Sequence, residues 1–86
     1  MKHRRESFRK ERGRRITRLL ARDGTTCRLC DRPLDRHIQD VDSPEFITLD
    51  HIVPRSAGGL SLDANLQLAH KRCNEARGSD PLDGAP

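Results

Sequence analysis

Residues 49–78 read LDHIVPRSAGGLSLDANLQLAHKRCNEARG. Changes of pattern in and around this stretch set the fold. Together with the residues before it, the segment 46–52 (FITLDHI) is rich in aromatic and β-branched side chains and predicts a strand. Pro54 and Gly58-Gly59 interrupt that pattern and predict a long structured loop over 53–64. NLQLA at 65–69 alternates, predicting a short second strand, and residues 70–78 predict a helix that stops at Gly78. Strands and helices in this proportion make a small α+β domain.

Working outward, TTCRLCDRPLDR at 25–36 reads as a tight knuckle, and the polar stretch 37–45, ending in Ser43-Pro44, as a loop. Residues 4–23 predict a helix. Phe8, Ile16, Leu19 and Leu20 form an apolar stripe, arginines surround it, and Gly24 ends it. Gly13 weakens its middle, predicting fraying or a kink in the first turns. The tail SDPLDGAP, 79–86, has little to bury and is expected to be disordered. This divides the chain into a basic N-terminal helix (1–24), a metal-stapled domain (25–78) and a tail (79–86).

Composition narrows the function. Of 86 residues, 35% are charged and 2% aromatic, with no Trp and no Tyr. So short a chain with so few aromatics has a marginal core, and a metal is the natural staple. No apolar run reaches the roughly 20 residues that span a bilayer, so no membrane role is expected. The N-terminus lacks the apolar region of a signal peptide, and three cysteines are an odd count. An intracellular protein with reduced thiols is expected. Residues 1–36 carry a charge balance of +8 and residues 37–86 one of −4. The basic half points to a polyanion, most simply nucleic acid, with Arg14, Arg15 and Arg18 on the helix and Arg55 on the loop as candidate phosphate contacts.

Two ligand pairs supply the staple. Cys27 and Cys30 form C-x2-C, and His70 and Cys73 form H-x2-C much further along. A two-residue gap lets one turn present two ligands to one tetrahedral zinc. His37 is the competing fourth ligand but has no partner at ligand spacing. A second set of residues carries hard-metal chemistry. The Asp50 carboxylate and an amide oxygen, from Asn65 or Asn74, suit Mg²⁺ or Mn²⁺. His51 beside them can take a proton from water at neutral pH. In a regular strand Asp50 and His51 face opposite ways, so a twist or bulge is expected to aim both at one site.

Taken together, C27-x2-C30, L49-D50-H51-I52-V53-P54, G58-G59, A64-N65-L66-Q67-L68 and H70-x2-C73-N74-x2-R77-G78 resemble the HNH endonucleases, the ββα-metal nucleases with a zinc-clipped frame. The resemblance runs from Arg22-Asp23-Gly24 to Gly78. It implies that Cys27, Cys30, His70 and Cys73 hold structural Zn²⁺, and that Asp50 and Asn74 hold the catalytic Mg²⁺ or Mn²⁺. It implies His51 as general base, Asn65 as the residue that ties down the loop between the strands, and Arg77 as a phosphate-holding catalytic residue. The implied reaction is hydrolysis of DNA phosphodiester bonds to a 5′ phosphate and a 3′ hydroxyl. Small proteins of this kind often occur in phages beside packaging genes, which adds phage packaging or recombination proteins as partners and a bacterial cytoplasm as the setting. Two positions depart from the family pattern: His70 replaces a more usual Cys, and Asn74 a more usual His. The alternative reading is a zinc-dependent DNA-binding or packaging accessory module that does not cleave.

Overall fold

The computed structural model describes residues 2–78, with side chains described from residue 10 onward. The expectation for the tail 79–86 and the place of Phe8 in the helical stripe lie outside those residues. Helix α1 spans Lys2–Asp23, strand β1 Ile47–His51, strand β2 Leu66–His70 and helix α2 Lys71–Arg77. Single 3-10 turns at Arg55–Ala57 and Asp63–Asn65 shape the loop between the strands. The chain is thus a small α+β fold with one antiparallel hairpin. No helix among the described residues is long and apolar enough to cross a membrane.

Local chemistry explains the boundaries. Gly24 takes the left-handed conformation (φ 88°) and donates its N–H to Leu20 O at 2.8 Å, which closes α1. Gly13 leaves the helix unbroken. A mid-helix glycine costs only about 1 kcal/mol against alanine, too little to outweigh the packing of the turns beyond it. The knuckle after α1 folds on itself through Cys27 N–H to Arg32 O and Asp31 N–H to Cys27 O, and Arg28 N–H then docks it on Leu68 O of β2. The first amides of α2 are satisfied from the preceding loop, Lys71 N–H by Phe46 O and Arg72 N–H by Pro44 O.

The strands pair in regular register from Ile47↔His70 to His51↔Leu66. Of the twist or bulge expected at Asp50-His51, the bulge is absent, since the ladder is unbroken there. The predicted strand 65–69 shifts by one residue to Leu66–His70, because the Asn65 side chain is committed to the loop backbone. With period-two alternation, Ile47, Leu49 and His51 share one face of β1, and Thr48 and Asp50 share the other.

The first face meets α1. Ile16, Leu19, Ile47, Leu66 and Leu68 form the core, with Leu20, Leu34 and Leu49 packed at its edge. At roughly 1.5–3 kcal/mol per buried side chain this is a slender hydrophobic term for a chain this long. Arginines supplement it. Arg15 Nε and Arg18 Nε donate to the two Asp63 carboxylate oxygens at 3.0 and 2.8 Å. Arg22 donates to Asp63 O and Leu66 O, both at 2.7 Å. Arg12 lies 5.0 Å over the Phe46 ring and donates to Ile47 O. The basic face of α1 therefore grips the start of β2 and the turn before it.

Asp63 is the hub of that grip. Its carboxyl is held below the ordinary 3.8, first by the hydrogen bond from Arg18. A lowered carboxyl stabilises the fold above its unfolded value and stops doing so as pH falls through its folded value, so at neutral pH the contribution is complete. Asp63→Asn should lower the melting temperature at neutral pH and low salt, and the gap should narrow in about 1 M salt, where the Debye length is about 3 Å. Thermal melts at both ionic strengths check this; a gap indifferent to salt would contradict it.

Candidate metal centre and active site

One metal-ligating cluster stands out among the described residues. The ligand atoms of Cys27, Cys30, His70 and Cys73 all lie within 4.8 Å of one another. His70 Nδ1 is 3.4 Å from Cys30 Sγ and 3.9 Å from Cys73 Sγ. Zinc–sulfur and zinc–nitrogen bonds of about 2.3 and 2.0 Å at tetrahedral angles separate such atoms by about 3.5 Å, so the set has the size of a zinc site. His70 is oriented for it: Nε2 donates to Pro33 O at 3.0 Å, which leaves the Nδ1 lone pair toward the sulfurs. Leu29 N–H and His70 N–H both donate to Cys27 Sγ at 3.4 Å, and Arg72 Nη1 donates to Cys73 Sγ. His37 is exposed on its loop and stands outside the cluster.

Crowding three sulfurs sets their electrostatics. The Cys73 thiol is pushed up to about 11, chiefly by burial and then by hydrogen bonds with the Cys30 and Cys27 sulfurs. The Cys30 thiol is lowered, first by a backbone hydrogen bond from Arg32. A divalent cation among the sulfurs reverses the penalty on Cys73, since a coordinating thiol gives up its proton. The Cys3His set fits structural zinc in donor chemistry, spacing and surrounding hydrogen bonds.

The second cluster lies on the opposite face of the hairpin, against α2. Asp50 is 1% exposed. Its Oδ2 accepts from Gln67 Nε2 at 2.8 Å and from Arg77 Nη1. Arg77 also donates to His51 O at 3.2 Å and Ile52 O at 3.0 Å, so it straps the end of α2 to the end of β1. Asn74 Nδ2 donates to Thr48 Oγ1, two residues from Asp50 on the same face. Asp50 Oδ1 and Asn74 Oδ1 are both buried and have no hydrogen-bond donor. Leaving a buried polar atom unsatisfied costs roughly 1–3 kcal/mol. Two such oxygens, one of them charged, are what a hard divalent cation would satisfy, and the donor chemistry fits Mg²⁺ or Mn²⁺.

His51 closes β1. Its ring is buried, and Nε2 lies 2.9 Å from Ser61 Oγ on the loop. That loop is closed by one side chain. Asn65 Nδ2 donates to Val53 O and Leu60 O, and Val53 N–H donates to Asn65 Oδ1, so one amide closes both limbs of the loop. Gly59 allows this closure, because a Cβ there would fall 1.8 Å from Val53 O. The structure thus gathers Asp50, Asn74 and Arg77 at α2, and His51 with Ser61 at the loop.

The predicted phosphate contacts fall elsewhere. Arg14 is exposed and paired with Glu11, Arg55 is exposed on the loop, and Arg15 and Arg18 are bound to Asp63. Sequence reasoning missed Ser61, Asp63 and Gln67. The strand register supplies a signal for Gln67, since it pairs with Asp50 across the ladder.

Zinc held this way should be a folding ligand, because binding of a structural zinc, worth about 10–16 kcal/mol in small domains, is folding free energy. Elemental analysis should find about one zinc per chain. Cys30→Ser should lose both the zinc and the cooperative melt. A metal-free sample that melts cooperatively at the same temperature would contradict this.

A family model described as HNH endonuclease matches residues 27–80, which span both ligand pairs and the hairpin and cover well over half of the chain. No curated protein and no solved structure matches. With the Cys3His cluster and the hairpin-and-helix frame inside the matched segment, the chain belongs to the HNH endonuclease family.

Proposed function

We propose that the protein is a metal-dependent endonuclease that hydrolyses DNA phosphodiester bonds. The observation that supports this most is the pair of donor-less buried oxygens, Asp50 Oδ1 and Asn74 Oδ1, with a buried histidine following Asp50 in the sequence. A hard divalent cation held by Asp50 and Asn74 would supply charge stabilisation at the phosphate and the leaving 3′ oxygen. His51 takes the proton from the attacking water. Ser61 holds its ring, and Asn65 holds the loop that carries Ser61. Arg77, at the end of α2, contacts both Asp50 and the His51 carbonyl, so it keeps the proposed metal ligand and the base in one frame. The products are a 5′ phosphate and a 3′ hydroxyl.

Within this reading the N-terminal helix, 1–24, supplies affinity, and 25–78 supplies the chemistry. Arg14 and Arg55 are exposed for phosphate contact, and Arg15 and Arg18 join them at the cost of their hold on Asp63. The rival, a DNA-binding or packaging accessory that does not cleave, shares the zinc frame and the basic helix and differs only in the chemistry.

Zinc-loaded protein should cleave plasmid DNA with Mg²⁺ or Mn²⁺, lose activity in excess chelator, and lose it in His51→Ala. Activity should also fall at acid pH, because a protonated His51 cannot accept a proton. Undiminished cleavage at low pH would remove His51 as base, and binding without cleavage at any pH would favour the rival. Replacing Arg14, Arg15 and Arg18 by Gln should weaken DNA binding and flatten its salt dependence, since each lost phosphate contact reduces counterion release by about 0.9 in the log–log slope. The single-turnover rate on saturating DNA should change little. An unchanged salt slope would place the DNA contacts off α1.

A further inference from the structure

We infer that Arg77 is a built-in counter-cation for Asp50, a positioning residue that sets how strongly Asp50 and Asn74 take up a divalent metal ion. The inference rests on the reading of those two residues as metal ligands. A carboxylate as deeply buried as Asp50 needs a compensating charge, and Arg77 is the cation bonded to it. The way it compensates is selective. Both Arg77 Nη1 and Gln67 Nε2 donate to Oδ2, while Oδ1 has no donor. One oxygen is therefore locked and the other is presented. The presented oxygen lies on the sheet face that α2 covers, and Asn74, one turn before Arg77 on α2, has a donor-less oxygen of its own.

Arg77 is also anchored apart from the carboxylate. Its guanidinium donates to His51 O and Ile52 O, so the charge stays in place when Asp50 takes another partner. A fixed positive charge beside a cation site lowers that site's affinity by direct repulsion. The arrangement keeps Asp50 oriented before metal arrives and keeps the metal weakly held and exchangeable afterwards. Phosphate capture by a freely swinging Arg77 is the competing role, and it predicts unchanged metal affinity in Arg77→Gln when no DNA is present.

The test is Mn²⁺ binding to the zinc-loaded full chain without DNA, followed by electron paramagnetic resonance or calorimetry. Arg77→Gln should bind Mn²⁺ about tenfold more tightly than wild type. Its melting temperature should also rise more on Mn²⁺ addition, because the ion then becomes the sole counter-charge of Asp50. Arg77→Lys keeps the charge and should stay within about threefold of wild type, and it carries the test if Arg77→Gln does not fold. Affinity equal to or weaker than wild type in Arg77→Gln, or a change beyond about threefold in Arg77→Lys, would overturn the inference. Asp50→Asn should abolish Mn²⁺ binding. Retained binding there would overturn the ligand assignment itself, whereas loss there with no gain in Arg77→Gln would overturn only the role of Arg77.

Discussion

Four ligand atoms confined within 4.8 Å are the constraint on which the rest of this molecule depends. Cys27 and Cys30 come from the knuckle after α1, His70 from the last position of β2, and Cys73 from the first turn of α2. Holding them together fixes where α2 leaves the sheet. A helix of seven residues has too few internal hydrogen bonds to persist alone. Once Cys73 is fixed, its neighbour Asn74 is set against the sheet face that carries Thr48 and Asp50, and Arg77 reaches the end of β1 one turn later. The staple thus lies one residue from the proposed catalytic metal site, and stability and function share one short helix.

The second organising force is electrostatic and works from the other side. A helix ringed with arginine reads as a surface for polyanions, yet much of that charge is turned inward. Arg15 and Arg18 hold the Asp63 carboxylate, and Arg22 holds two backbone carbonyls of the segment entering β2. These contacts are partly exposed and individually modest. Together with Ile16 and Leu19 they seat α1 on the hairpin, so the basic helix packs against the same core as the strands. The loop between the strands is closed by one side chain, Asn65, and that closure carries Ser61 to the ring of His51.

Much of this was legible in the sequence because it depends on short spacings. The two ligand pairs, the glycines that end both helices, the β-rich run at 46–52 and the alternation after Asn65 are local signals, and each placed an element to within about two residues. The features that escaped depend on long-range partners. Asp63 bonds arginines more than forty positions earlier, and Arg77 meets Asp50 across the hairpin. No periodicity reports such pairs. The strand register corrected half of one expectation: of a twist or bulge to bring Asp50 and His51 to a common site, the bulge is absent, and the regular ladder sends one toward α2 and the other toward the Ser61 loop.

The central claim is that Asp50, His51 and Asn74 work as one catalytic centre within the zinc-clipped frame. A double-mutant cycle on single-turnover DNA cleavage tests it most directly, with zinc-loaded wild type, His51→Ala, Asn74→Ala and the double variant in saturating Mn²⁺. Residues that act as a unit are strongly non-additive. The double variant should therefore cleave about as slowly as the slower single variant. Losses that multiply, or single variants that cleave at the wild-type rate, would contradict a shared centre.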